Sequence, residues 1–153
     1  MTDLYQQVII DHAQKPRNRG VCEHATHFQQ GKNPLCGDQL QVTLLLDGDT
    51  VKDLRFEGEG CAISLASASL MTEAAKGKSI AEIESMFSKV HNLFTKGGDE
   101  SDQELSESLG KLLVLKGVHA YPMRVKCATL AWHTLLAALQ GDQMTVSTED
   151  EAS

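Results

Sequence analysis

The chain has 153 residues, 41% of them apolar and 23% charged, and carries a net charge of -7 at pH 7. That is the size and balance of one ordinary domain with a real core, which excludes wholesale disorder. The acidic balance, with Lys and Arg mostly occurring singly, argues against nucleic acid as the main partner, and no apolar run approaches the roughly 18 residues needed to cross a bilayer.

From Leu4 through Val8, Ile9 and His12 the apolar spacing is helical, and Pro16-Arg17-Asn18-Arg19-Gly20 closes that first helix. Thr26 to Gln30 reads as a short strand. Leu40, Val42, Leu44 and Leu46 alternate with period two up to the turn Asp47-Gly48-Asp49, and Leu54 and Phe56 alternate on a return strand. Val51 is out of phase with Leu54, which marks a bulge. These elements make an antiparallel sheet of about three strands.

After Gly58-Glu59-Gly60-Cys61 the period changes to that of a helix, with Ile63, Ala66, Leu70 and Ala74 on one face and Gly77 as the stop. Ser79 with Glu82 is a capping-box pattern ahead of Ile83, Met86, Phe87 and Val90. Thr95 to Glu100 reads as a polar loop. Ser101 with Glu104 repeats the cap pattern before a helix carrying Leu105, Leu109, Leu112 and Leu113. Pro122 opens the last helix, on which Cys127, Leu130, Ala131, Thr134, Leu135 and Ala138 share the inward face until Gly141. The expected architecture is α+β, a small antiparallel sheet packed against several helices. One domain spans residues 1–145, and residues 146–153 form an acidic, mobile tail.

Four cysteines could make two disulfides, but a domain of this size does not need them, and the mixed polarity of Met1 to Ile10 is not that of an export signal, so a reducing, cytoplasmic location and metal or thiol chemistry are expected. Gly37 permits a tight turn that lets the Cys36 thiol and the Asp38 carboxylate reach one ion. Cys61 follows two nearby glycines at a helix start, where partial positive charge favours a thiolate, and Cys127 has a helix start plus Arg124 and Lys126 nearby. All three thiols are therefore expected to ionise. Three thiolates and a carboxylate suit tetrahedral zinc, with Asp38, a hard oxygen among soft sulfurs, as the more labile ligand. Iron-sulfur clusters also favour cysteine, so ligand type leaves the occupant open. The intervals of 25 and 66 residues between these cysteines do not by themselves bring them together, and three ordinary buried thiols are the competing reading.

The segments Asn33-Pro-Leu-Cys-Gly-Asp38, Gly58-Glu-Gly-Cys-Ala-Ile-Ser64 with Ala66-Ser-Ala-Ser69, and Tyr121-Pro-Met-Arg-Val-Lys-Cys-Ala-Thr-Leu-Ala-Trp132 resemble the three cysteine motifs of the IscU/NifU-like iron-sulfur cluster assembly family. The resemblance covers nearly the whole chain, from Tyr5, Asp11-His12 and Pro16-Arg17-Asn18 onward, and is greatest to the SufU branch. Scaffold members of the IscU type carry His immediately before the third cysteine, where this chain has Lys126, and the stretch at 79–110 is similar to the insertion that marks SufU proteins. The Leu-Pro-Pro-Val-Lys chaperone-recognition motif of the scaffold type is absent.

The resemblance implies iron-sulfur cluster biogenesis through a zinc-dependent sulfurtransferase. Zinc would be held by Cys36, Asp38, Cys61 and Cys127, with Cys36 as the acceptor of persulfide sulfur and Arg124 assisting when a cysteine leaves the metal. It implies a pyridoxal-phosphate-dependent cysteine desulfurase of the SufS type as donor partner, contacted in part through the N-terminal segment, and a downstream Suf scaffold or other sulfur acceptor. Two alternatives remain at this point: a scaffold that assembles and transfers a transient [2Fe-2S] cluster on the same residues, and a structural zinc domain that activates the desulfurase. No H-E-x-x-H segment or nucleotide-binding glycine loop suggests other chemistry.

Cys22 matches none of the motifs and reads as an incidental thiol. His24 and His27 read as ordinary strand polar residues, although their spacing would allow both to sit beside Cys36. His119, in the loop before the last helix, and His133, beside Trp132, match no family ligand position. The Leu105, Leu109, Leu112 and Leu113 stripe reads as core.

Overall fold

Residues 3–34, 36–97, 109–141 and 146–147 are described in the computed structural model of the protein. The chain runs α1 (Asp3–Gln14), β1 (His27–Asn33), β2 (Asp38–Asp47), β3 (Thr50–Glu59), α2 (Ala62–Ala75), α3 (Ile80–Lys96), a 3-10 helix (Gly110–Ala120), α4 (Pro122–Leu139) and a two-residue strand β4 (Val146–Ser147).

Strands β1, β2 and β3 form an antiparallel meander in which Asn33 faces Asp38 at one end and His27 faces Leu44 at the other. Period-two alternation sends Leu40, Val42 and Leu44 inward, all buried. The bulge expected at Val51 is present: Leu45 pairs with Asp53 and Leu46 with Val51, so Lys52 is the extra residue. That insertion lets Val51 and Leu54, three apart, both reach the core. β4 adds in parallel beside β1, pairing Val146 and Ser147 with Gly31 and Lys32. Two residues of the expected tail are thus in the sheet, and residues 148–153 lie outside the described ones. The other edge is covered: Asn18 and Gly20 bond to Phe56, and Gly77 and Lys78 bond to Val51.

α4 lies on the inner face of the sheet. Gly31 is where the two meet, because a Cβ there would overlap Thr134 Oγ1 and crowd Leu130. The small-residue run Ala66-Ser67-Ala68-Ser69 on α2 is entirely buried and admits close neighbours on two sides. Ser67 Oγ donates to the Ala128 carbonyl at 2.6 Å, tying α2 to α4. Ser69 Oγ pairs with His12 Nδ1 at 2.7 Å and accepts from the Arg17 amide at 2.9 Å, tying α2 to α1 and the segment after it.

The capping box at Ser79 and Glu82 is formed as expected, and Gly97, at φ 80°, closes α3. Thr95 and Lys96, read as the start of a loop, are instead the last residues of α3; Thr95 Oγ1 donates back to the His91 carbonyl, and Phe94 before it is fully buried. Leu112 and Leu113 are core residues, as expected, but on a 3-10 helix, and His119 belongs to that helix rather than to a loop. The cap pattern at Ser101 and Glu104, with Leu105, lies outside the described residues. Among the described residues no helix is long and apolar enough to cross a membrane.

Candidate metal centre

The cysteine motifs converge at the end of the sheet where β1 turns into β2. Gly37, at φ 72°, makes the turn that a side-chain-bearing residue would resist, and it places exposed Cys36 just before Asp38, the first residue of β2. Asp38 is 1% exposed. Its Oδ1 accepts from the Cys61 backbone N–H at 2.8 Å and its Oδ2 from Asn33 Nδ2 at 3.3 Å. Gly60 makes this approach possible, since any Cβ at that position would overlap Asp38 Oδ1.

Cys61 is the N-cap of α2, and its sulfur accepts from the Ser64 backbone N–H at 3.5 Å. Cys127 projects inward from α4, 3% exposed, with its Sγ 3.5 Å from Cys36 Sγ and 3.5 Å from Asn33 Nδ2. One ligand atom each from Cys36, Asp38 and Cys127 lie within 4.8 Å of one another. Cys61 joins at the side through its amide on Asp38 and its sulfur on Cys127. The four expected residues are therefore neighbours, with three in a tight group and Cys61 adjacent to it.

The electrostatics divide the thiols. A hydrogen bond from Cys127 holds the Cys61 thiol down at about 7, against its burial and the Asp38 charge, with the α2 amides adding to the lowering. Cys127 moves the other way: its hydrogen bond to Cys61, then burial, then the nearby Cys36 and Asp38, push its thiol up. The setting of Cys127 thus differs from the expected one, because it lies in the second turn of α4, buried beside Cys36, Asp38 and Cys61. A divalent cation would reverse that balance, since it favours the thiolate form of every sulfur around it. The donor set, soft thiolates with one carboxylate fixed by two hydrogen bonds, fits zinc by ligand type.

Arg124 does not reach into the group through any recorded bond; it is exposed, with its guanidinium 4.6 Å from the centre of the Tyr121 ring. Asn33 is the residue that sequence reasoning passed over. It heads the first motif, and it is fully buried, touching Asp38 and Cys127 together.

The remaining sequence candidates lie elsewhere. His27 is at the opposite end of β1, six residues or ~20 Å along the strand from Asn33, and His24 precedes it. Cys22 is buried, its thiol donating to Asp53 Oδ2 at 3.3 Å and pushed up by burial and by that carboxylate. His133 packs edge-on against Phe87 and His91. His12 is buried against Ser69, so this part of the N-terminal motif fastens α1 to α2. Asp11 and Arg17 reinforce the same junction with a 2.6 Å ion pair. The Tyr5 side chain lies outside what is described.

Comparison with known proteins places this arrangement. Residues 4–140 match the family model described as the NifU-like N terminal domain. The chain is 48% identical over 132 residues, 86% of each chain, to a protein of Bacillus subtilis named zinc-dependent sulfurtransferase SufU. It is 35% identical over 140 residues to a Streptococcus pyogenes protein named iron-sulfur cluster assembly scaffold protein IscU, covering 92% of this chain and 85% of that one. A crystal structure of a putative iron-sulfur cluster assembly scaffold protein for the SUF system from Fervidobacterium islandicum superposes with a TM-score of 0.79 at 38% identity, over 87% of this chain and 94% of the other. With residues 4–140 matched, this chain belongs to the NifU-like N-terminal domain family.

Proposed function

We propose that the protein is a sulfur relay for iron-sulfur cluster biogenesis, a zinc-dependent sulfurtransferase in which Cys36 takes persulfide sulfur from a cysteine desulfurase. One observation carries the reading: within a group of metal-type donors whose other close members, Asp38 and Cys127, are buried, Cys36 is exposed at a turn. The 48% identity to a protein named as a zinc-dependent sulfurtransferase supports it.

Cys36, Asp38, Cys61 and Cys127 would hold the metal. Bound there, zinc keeps its sulfur ligands deprotonated and staples the β1–β2 turn to α2 and α4, without redox chemistry of its own. The reaction belongs to Cys36. Its thiolate attacks the outer sulfur of the donor's cysteine persulfide; a new S–S bond forms at Cys36, the donor's S–S bond breaks, and the donor cysteine leaves as a thiolate. Asp38 and Cys127 keep the pocket in shape while the turn at Gly37 lets Cys36 move. Arg124, one helical turn before Cys127 on the exposed start of α4, supplies positive charge beside the exchanging thiolate. The sulfur then passes to a downstream Suf scaffold or other acceptor, within the cytoplasm.

The scaffold reading draws on the relatives named iron-sulfur cluster assembly scaffold protein IscU; in it a transient [2Fe-2S] cluster would be the competing occupant of the same four residues. Metal analysis of the purified protein, combined with desulfurase turnover with and without it, separates the two. Stoichiometric zinc with stimulated turnover is expected; iron and labile sulfide with no stimulation would support the scaffold.

A further inference from the structure

Asn33 is a neutral side chain with no exposure at all, placed at the last residue of β1. It meets three of the four proposed ligands. Its backbone carbonyl accepts from the Cys36 N–H at 3.2 Å, closing the turn that carries the exposed thiol. Its side-chain amide reaches Asp38 Oδ2 at 3.3 Å and Cys127 Sγ at 3.5 Å. An ionised carboxylate only accepts hydrogen bonds, so the nitrogen end of the amide faces it, and the same NH2 group has a second proton for the sulfur.

Asp38 is thereby held from both sides, by the Cys61 amide on one oxygen and Asn33 on the other. By hardness alone Asp38 is the weakest partner for zinc among three sulfurs, but its position is the most constrained. Cys127 is constrained as well, by α4 and by the same amide. Cys36 is linked to Asn33 through the backbone, and its side chain sits on an exposed turn with Gly37 after it.

We propose that Asn33 is a positioning residue of the metal site: its amide locks Asp38 and Cys127 in ligand geometry, so that Cys36, and not Asp38, is the ligand that exchanges. The inference rests on the reading of Cys36, Asp38, Cys61 and Cys127 as a zinc site. Outer hydrogen bonds of this kind orient ligands and typically change metal affinity by about 10- to 100-fold when lost. Asn33 takes no part in transfer itself.

The test compares wild-type protein with Asn33→Leu, close in shape but without the donors, and Asn33→Asp, which replaces donors by a second carboxylate. Zinc affinity is measured by competition with a chromophoric chelator, and the melting temperature of the metal-free proteins in parallel. The expected result is zinc binding weakened at least tenfold in Asn33→Leu, beyond what any change in metal-free melting temperature accounts for. A merely structural amide would lower the melting temperature and leave zinc affinity within twofold, which overturns the proposal. A second measurement needs no variant: in wild-type protein the side-chain amide resonances of Asn33 should shift on adding Zn2+, and an unmoved pair would contradict the assignment. If wild-type protein takes up no zinc, the metal reading itself falls; if it binds zinc and Asn33→Leu binds it equally well, only the role of Asn33 falls.

Discussion

The sulfur of Cys127 lies 3.5 Å from the sulfur of Cys36, although one is buried on α4 and the other is exposed on the β1–β2 turn, 91 residues earlier in the chain. A disulfide needs ~2.05 Å, so only a modest movement of the turn separates this contact from a bond. With the metal stripped by a chelator and hydrogen peroxide as oxidant, the expected product is a Cys36–Cys127 disulfide, detected by peptide mapping without reduction. Zinc added beforehand should prevent it. A bond involving Cys22 in its place would contradict the geometry.

Gly60 is required by a side chain rather than by its backbone. A methyl group there would overlap Asp38 Oδ1. Gly60→Ala is expected to cost ~1–3 kcal/mol, the usual range for overpacking, and to lower zinc content because Asp38 is displaced. Urea unfolding and metal analysis check this, and a variant with wild-type stability and zinc content would show that the Asp38 position is not fixed as described.

Acid should weaken the fold through His133. Burial, with a further contribution from His91, holds its pKa down at about 4, against an ordinary value near 6.5. Burial acts on His12 in the same direction. Between the folded and unfolded values the unfolded chain binds the proton and the native state does not, so this stability is complete above about 6.5 and is lost as pH falls through the window. Melting temperature should therefore drop from about pH 7 toward pH 5, and His133→Phe should flatten that dependence. An equal slope in the variant would assign the acid sensitivity to other groups.

Cys22 is a useful control. Its thiol donates to Asp53, which also pairs with Arg55 and Lys76, so the cysteine braces a charged cluster far from the other three. Cys22→Ala should cost ~1 kcal/mol, the worth of a typical hydrogen bond, and leave sulfur acceptance intact. Loss of sulfur acceptance in this variant, with fold retained, would bring Cys22 into the chemistry.

The period-two pattern of Leu40, Val42 and Leu44, the bulge at Val51 and the cap at Ser79 were readable because each depends on neighbours in sequence. β1 was harder. Its residues are mostly polar, and its glycine reports a helix from the far end of the chain, at Leu130 and Thr134, which no local pattern reveals. The 3-10 helix at 110–120 likewise departs from the α-helical spacing of its leucines, with Gly110 and Gly117 lowering helix propensity and tertiary packing deciding the form. At the site, the motif residues were legible by type and setting, whereas the raised thiol of Cys127 and the reach of Asn33 arise only when three distant segments meet.

The central claim is that Cys36 is the sulfur acceptor of a zinc-held site. It is tested most directly by incubating the zinc-loaded protein with a cysteine desulfurase and free cysteine, trapping persulfides by alkylation, and mapping the peptides by mass. The account predicts one added sulfur atom on the Cys36 peptide, absent in Cys36→Ala while zinc-independent folding is kept. Persulfide on Cys61 or Cys127 instead, or undiminished sulfur acceptance by Cys36→Ala, would contradict it.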